Sequence, residues 1–143
     1  KVAHINTAEL IQAMPEMKAA QAELETLGKT YQADIQASIK EYQTIVKQYE
    51  AEAATKTDEE NQKRGLELQE KQQNIQQFQA DAQQDMQKKE LDLLKPITEK
   101  AKAAILKVAR VQGYDYVLDA AQSVIIMSDG KNLLDDVKKE LGI

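Results

Sequence analysis

The sequence predicts a mostly helical α+β protein, in which a long antiparallel helical hairpin projects from a small body with a three-stranded sheet. The stretch from Pro15 to Val111 is rich in Gln, Ala, Glu and Lys, and its apolar residues are few but regularly spaced. In the first half they recur by steps of four and three, which is typical of a coiled-coil seam. Its members are Tyr31, Ile35, Ser38, Tyr42, Ile45 and Tyr49. Short apolar segments that resemble strands flank this stretch on both sides.

The two halves of the stretch match as facing sides of one hairpin. If the chain reverses near residues 54–58, facing residues have numbers with a nearly constant sum. Apolar pairs with sums from 112 to 114 run along the whole stretch: Val46–Leu66, Ile39–Ile75, Ile35–Phe78, Leu27–Met86, Ala20–Leu93 and Met17–Ile97. A short connection makes the two helices antiparallel neighbours. A single unbroken helical rod is the alternative interpretation.

The N-terminal elements are a strand and a short helix. Residues 2–5 form an apolar run that predicts a strand, and Asn6 or Thr7 is a suitable cap for a helix from Ala8 to Met14. Pro15 disfavours helical geometry at the residue before it and suits the first turn of a helix. We therefore expect a break there and a new helix from Pro15.

The C-terminal elements follow Gly113, which predicts the end of the second long helix. Residues 116–119 and 124–127 are expected to be two strands of a hairpin, joined by the turn 120–123. A last helix is expected from Leu133 to Leu141, with Asn132 as cap and Gly142 as terminator. The predicted body comprises 1–14 and 98–143, the hairpin arm comprises 15–97, and a kink is expected at Pro96.

The predicted sheet is too small to be stable alone. Its strands are apolar without alternation, which is typical of strands covered on both faces, and its edges are exposed. Oligomerisation through the sheets would satisfy both requirements. The candidate interface residues are Val2, Ile5, Val117, Leu118, Val124 and Ile126.

Composition and charge limit the possible functions. The net charge is −5, from 24 acidic and 19 basic residues, and residues 88–110 carry a local excess of bases. This balance and the lack of a nucleic-acid motif argue against nucleic-acid binding. There is no cysteine, and no apolar run approaches the roughly 20 residues of a transmembrane helix. The chain starts at Lys1, which is compatible with a removed signal peptide.

No residues suggest catalysis or a cofactor. His4 is the only histidine, and neither a second histidine nor a cysteine is present to complete a zinc site. The acidic run 58–60 lacks the spacing and the glycine of a calcium-binding loop. The sequence therefore predicts a protein that is not an enzyme and binds no metal or cofactor.

The order of strand, helical hairpin, strand pair and final helix resembles the Skp/OmpH family of periplasmic chaperones for outer-membrane proteins. The residues that carry the resemblance are 2–7, the junction 14–21 and 113–120. The resemblance implies a periplasmic homotrimer in which three sheets join into a β-barrel. Three tentacle-like hairpins would enclose unfolded outer-membrane proteins without ATP. Well-known members are strongly basic, whereas this chain has a pI near 5.0, which argues against electrostatic capture of anionic membrane lipid or lipopolysaccharide.

Within this interpretation, the residues most suited to contact a client lie beside the hairpin seam. Ile39 and Val46 are one position beyond the strict seam and widen its apolar face; together with Leu66 and Phe78 they are the candidate client contacts. The heptad spacing of Tyr31, Tyr42 and Tyr49 favours the seam over a client-binding stripe. The alternative function is a structural coiled-coil adaptor or spacer, trimerised by its small sheet.

Overall fold

The computed structural model describes all 143 residues of the chain. Its elements, in chain order, are β1 (Val2–Ile5), α1 (Thr7–Ala13), α2 (Pro15–Glu52), a 3₁₀ turn (Ala53–Thr55), α3 (Asp58–Val111), β2 (Tyr116–Asp119), β3 (Lys131–Asn132) and α4 (Leu134–Leu141). The predicted α+β class, with its long helical hairpin and small three-stranded sheet, is confirmed. The chain forms two compact units: a body unit, Lys1–Glu23 with Glu90–Ile143, and a hairpin unit, Leu24–Lys89.

The start of the chain folds as its local sequence predicts. The Asn6 side chain caps α1 by accepting a hydrogen bond from the Glu9 backbone N–H at 3.1 Å. Met14 is extended, with φ −73° and ψ 132°, as expected for a residue before proline. Helix α2 then starts at Pro15. The predicted break is confirmed.

The sheet differs from the prediction in its third strand and in its topology. Its order is β2-β1-β3, and both outer strands pair parallel with β1. Residues 124–127 form no strand, and the predicted hairpin with residues 116–119 is wrong. Parallel neighbours require the chain to cross back before it pairs again. Residues 120–130, which include the apolar run, make this crossing and leave the outer edge of β2 unpaired.

The last helix is confirmed with a small shift in its start. Helix α4 begins at Leu134, and the Asn132 side chain accepts a hydrogen bond from the Leu134 backbone N–H at 3.0 Å. Gly142 ends the helix in the left-handed region, with φ 75°. A residue with a side chain would be strained there, which explains a glycine at this position.

The body unit holds one hydrophobic core. The best-buried large side chains are Ile5, Leu10, Met14, Leu133 and Val137, each at most 1% exposed. Ala20 from α2 and Ile97 from α3 belong to the same core. The body unit therefore contains more of both long helices than the predicted body of 1–14 and 98–143.

The hairpin unit contains the chain reversal. The 3₁₀ turn ends α2, and α3 opens with a reciprocal cap: the Thr57 hydroxyl accepts from the Glu60 backbone N–H, and the Glu60 carboxylate accepts from the Thr57 backbone N–H, both at 3.1 Å. Across the two helices, the rings of Tyr31 and Phe78 meet edge to face with centroids 6.0 Å apart. The antiparallel hairpin is confirmed, and the unbroken rod is excluded.

Candidate interaction surfaces

One face of the sheet is covered by the core, and the other is open and carries several large apolar side chains. Ala3 and Ile5 of β1 are buried, whereas Val2 is 51% exposed. Residues paired in register share a face of the sheet, and Val2 is paired with Tyr116. Tyr116 and Leu118 are 69% and 47% exposed. We call Val2, Tyr116 and Leu118 the open sheet face.

The crossing segment adds a second exposed apolar group in the body unit. Val124 is 79% exposed, Ile126 is 100% exposed and Met127 is 75% exposed. With Ile125, these residues form a run of four consecutive large apolar residues, 124–127, that have no strand partner. Such a run is unusual on the surface of a protein that acts as a monomer. Together with the open sheet face, they make the body unit a candidate surface for protein–protein contact.

The structure places the predicted interface residues in three different environments. Val2, Leu118, Val124 and Ile126 are exposed, and Val117 is half-buried against the core. Ile5 is 1% exposed and packs in the core of its own chain, so it has no surface left for a neighbouring subunit. The role of the exposed residues stays a prediction.

An aspartate connects the end of β2 to the start of α1. The Asp119 carboxylate accepts hydrogen bonds from the Thr7 hydroxyl at 2.7 Å, the Thr7 backbone N–H at 3.2 Å and the Ala121 backbone N–H at 2.9 Å. Partial burial acts to raise the pKa of Asp119, but these hydrogen bonds outweigh it and hold the pKa below its ordinary value. These hydrogen bonds join the end of the edge strand β2 to the start of α1. The exposed crossing segment, residues 120–130, begins directly after β2.

In the hairpin unit, the seam contains polar contacts between the helices. The Tyr31 hydroxyl donates to Asp85 at 2.5 Å, and the Tyr49 hydroxyl donates to Glu67 at 2.9 Å. Each hydrogen bond to a carboxylate raises the pKa of its tyrosine. These tyrosines therefore serve the hairpin, as their heptad spacing predicts.

The four candidate client contacts differ in accessibility. Leu66 is 62% exposed, whereas Ile39 and Val46 are half-buried. Phe78 is half-buried and packs on Tyr31, so part of its surface is already used by the seam. Their role in client binding stays a prediction, and Leu66 offers the most surface.

Two features escaped the sequence reasoning. Arg64 pairs with Glu52 at 2.8 Å and lies over the Tyr49 ring, with 4.2 Å between the guanidinium carbon and the ring centroid. In the body unit, α3 carries an apolar groove of about 540 Å³. It is lined by Leu91, Leu94, Lys95, Thr98, Glu99 and Lys102, which we call the α3 groove. The pair Leu91 and Leu94, about one turn apart on α3, was the available signal in the sequence.

The structure assembles no constellation for metal binding. Nowhere do three His, Cys, Asp or Glu side chains lie close enough together to hold an ion. His4 is half-buried in the central strand, where it is paired with Leu118 and Asn132. None of the helices combines the length and apolar character of a bilayer-spanning helix.

Comparison with known proteins places these surfaces in a family. Residues 1–141 match the model of the OmpH-like family of outer membrane proteins. The chain belongs to this family. Proteins named chaperone protein Skp from Photorhabdus laumondii and Photorhabdus luminescens are each 26% identical over 141 residues, which cover 99% of this chain and 85% of the relative.

The fold has a close structural counterpart. A crystal structure assigned as an OmpH-like outer membrane chaperone from Caulobacter crescentus CB15 superposes with a TM-score of 0.88 at 18% identity, covering 99% of this chain and 85% of that chain. The predicted family resemblance is confirmed. A family of proteins named as chaperones agrees with a function other than catalysis.

Proposed function

We propose that this protein is a periplasmic chaperone that holds unfolded outer-membrane proteins and prevents their aggregation without ATP. The proposal is carried by the family match, which extends over residues 1–141 and therefore includes every element of both units. The relatives named Skp are chaperones by name. The exposed apolar residues of the body unit support a function in binding other polypeptides.

The active form in this proposal is a homotrimer joined through the body units, with the sheets forming a shared barrel. The supporting observation is the open sheet face and the exposed Val124, Ile126 and Met127 beside it. Burial of apolar surface contributes about 25 cal/mol per Å², so these residues stabilise an assembly that covers them. The hairpin units would then surround the client.

Assembly is tested with Leu118→Asp. A carboxylate in the covered interface would lose its hydration without gaining a partner, so we expect the trimer to dissociate. The matched control is Val111→Asp, which introduces the same charge at an 81% exposed position of α3 outside the sheet. Light scattering reports the mass of both variants. A wild-type mass of one subunit at micromolar concentrations would contradict the trimer.

Holding activity is tested by dilution of a urea-unfolded outer-membrane β-barrel protein in the absence of nucleotide. We expect the wild-type chain to suppress the light scattering of aggregates. A second sample contains a shortened chain, in which residues 31–78 are replaced by a short Gly-containing turn. This deletion removes Tyr31 and Phe78, which contact each other, from both helices at once. We expect the shortened chain to keep its mass as a trimer and to lose protection; full protection would place client binding in the body unit.

A structural spacer is the second candidate function. It is favoured by the way the hairpin uses its own aromatic residues, because Tyr31 and Phe78 pack on each other rather than facing solvent. A spacer would form the same trimer but give no protection in the dilution assay. The two candidates are therefore separated by one measurement on the wild-type chain.

A further inference from the structure

The α3 groove is an apolar surface that the folding of the chain leaves uncovered. Helix α3 turns one face toward the core of the body unit, where Ile97, Ala101 and Val108 are buried. Leu91 lies outside that face and is 70% exposed, and Leu94 beside it is half-buried. All residues that line the groove belong to α3, so it is a shallow surface groove rather than an enclosed cavity.

The rim of the groove carries a net positive charge, because Lys95 and Lys102 outnumber Glu99, the one acidic residue of its lining. Other lysines in this part of α3 have partners: Lys100 pairs with Glu16, and Lys107 pairs with Glu140. Lys95 and Lys102 form no ion pair in the structure. Their aliphatic stems extend the apolar lining, and their ammonium groups remain available to a partner.

We infer that the α3 groove binds an extended apolar segment of an unfolded polypeptide that carries acidic residues at its ends. This inference rests on the proposed chaperone function and names the client chemistry that one surface would recognise. Lys95 and Lys102 are seven residues apart, which is about 10 Å along a helix. An extended chain covers that distance in about three to four residues. A short apolar core between two carboxylates therefore matches the spacing of the two lysines.

The same charges disfavour the face-to-face pairing of two α3 grooves. Symmetric pairing of two α3 grooves would bring Lys95 and Lys102 of one copy close to the same lysines of the other. Like charges at an interface are destabilising, whereas opposite charges speed and stabilise association. An acidic, apolar polypeptide satisfies both the leucine surface and the lysine rim.

The probe is a fluorescent peptide with the core Asp-Val-Leu-Val-Asp, and its matched control replaces both aspartates by lysine. Binding to the full-length chain is followed by fluorescence anisotropy at two salt concentrations. We expect the acidic peptide to bind more tightly than the lysine peptide. Its Kd should rise with salt, because the contacts with Lys95 and Lys102 are solvent-exposed and screened.

Two variants locate the binding. Leu91→Gln removes apolar surface at an exposed helical position, and the double variant Lys95→Gln with Lys102→Gln removes the charges. We expect each to raise the Kd of the acidic peptide about fivefold or more, and the double variant to abolish the salt dependence. The matched controls are Val111→Gln, at an 81% exposed position of α3 outside the groove, and Lys18→Gln, at an exposed lysine of α2. Leu66→Gln, at a candidate client contact of the hairpin unit, tests the alternative binding site. Circular dichroism verifies that all variants fold.

Several outcomes would overturn the inference. These are equal binding of the two peptides, loss of binding in Leu66→Gln but not in Leu91→Gln, or a lower mass of Leu91→Gln in light scattering, which would assign the groove to a second copy. Binding of anionic lipid vesicles, but not of the peptide, through Lys95 and Lys102 would assign it to a membrane.

The dilution assay separates failure of the α3 groove from failure of the proposed chaperone function. If Leu91→Gln protects the client against aggregation as well as the wild-type chain does, and the peptide binds elsewhere, only the inference about the α3 groove is rejected. If the wild-type chain gives no protection, the chaperone function is rejected.

Discussion

The body unit and the hairpin unit are built from the same helices but are stabilised in different ways. Of the 14 buried apolar residues of the chain, 13 form the core of the body unit, and only Ala82 lies in the hairpin unit. The seam residues of the hairpin, such as Ile35 and Ile45, are half-buried. A helix whose apolar face is narrow gains little from burial, so the hairpin must depend more on local interactions along its length.

The hairpin unit compensates with polar contacts between its helices. Tyr31 bonds to Asp85, Tyr49 bonds to Glu67, and Arg64 pairs with Glu52. The Tyr49 and Arg64 contacts are part-buried and the Tyr31 contact is exposed, and single polar contacts of this kind contribute only modestly to stability. They do specify which residues face each other, as polar residues do in coiled coils. The core therefore stabilises the body unit, whereas polar pairs mainly set the register of the hairpin unit.

The largest expected difference between the units comes from shortening a core side chain. Leu10→Ala removes a side chain that is 0% exposed, so we expect a loss of about 3 kcal/mol in the free energy of unfolding. Ile35→Ala in the hairpin seam removes a half-buried side chain, and we expect a loss of about 1 kcal/mol.

Hydrogen exchange measured by mass spectrometry tests this difference for each unit separately. Leu10→Ala should accelerate exchange in β1 and β2, whereas Ile35→Ala should accelerate it only in the hairpin unit. Equal losses in the free energy of unfolding from both substitutions would show that the hairpin unit is packed as firmly as the body unit.

The second prediction concerns acid and the body unit. The pKa of Asp119 is lowered in the folded chain, so its contribution to stability is present above the ordinary pKa of the group, near 4, and is lost as pH falls through the lowered value. We expect Asp119→Ala to cost about 1 kcal/mol at neutral pH, because three hydrogen-bond donors lose their acceptor.

Urea unfolding at pH 7 and at pH 3 measures this contribution. Asp119→Asn keeps an acceptor oxygen but loses the charge, so its stability should fall less between the two pH values than that of the wild-type chain. The control is Asp129→Asn, at an exposed aspartate of the crossing segment with no hydrogen bond or ion pair in the structure. An identical loss for the wild-type chain and Asp119→Asn would exclude a role for the Asp119 carboxylate.

The long-range features that could be predicted were those with a repeated signal. The hairpin follows from two apolar seams with matching positions, and its bounds follow from Pro15, Thr57 and Gly113, whose backbone preferences are local. The third strand could not be predicted in the same way. Val124 to Met127 has strand-like composition, but its pairing is decided by the parallel position of β3 on the far side of β1. Composition indicates that a segment is apolar and does not indicate which surface covers it.

The candidate surfaces, like the fold, were predictable only in part. Exposure of Leu118 followed from the small size of the sheet, whereas burial of Ile5 in its own core depends on packing by α1 and α4, which no local pattern reveals. The α3 groove was missed because the same heptads also contain the core residues Ala101 and Val108. One helix with two apolar faces gives overlapping patterns.

The third prediction tests the polar pairs of the hairpin unit. Tyr49→Phe keeps the ring under Arg64 but removes the hydrogen bond to Glu67. We expect a smaller acceleration of exchange than in Ile35→Ala, confined to residues near the 3₁₀ turn, because one part-buried hydrogen bond is lost while the packing of the ring is kept. The control is Tyr42→Phe, whose hydroxyl has no partner in the structure. Equal exchange in the two variants would show that the Glu67 contact does not order the turn.

The smallest expected effect is a gain in stability from glycines inside the hairpin. Gly28 and Gly65 lie within helices and have no positive φ, and an added Cβ at Gly65 would meet nothing within 4 Å. At Gly28 it would meet the terminal methyl of Met86 at 3.6 Å, an ordinary van der Waals contact. Each substitution by Ala should therefore stabilise the hairpin unit by about 0.5 kcal/mol, since Ala loses less backbone entropy in a helix.

The control is Gly113→Ala, because Gly113 has φ 73° and an alanine there is strained. That variant should lose stability at the end of α3, while the two hairpin variants slow exchange in residues 24–89 and leave the body unit unchanged. In the dilution assay, a stiffer hairpin should protect fewer kinds of client than the wild-type chain does. If protection is the same for clients of different size although exchange is slower, mobility of the hairpin does not set the range of clients, and the weak packing of this unit has no part in holding them.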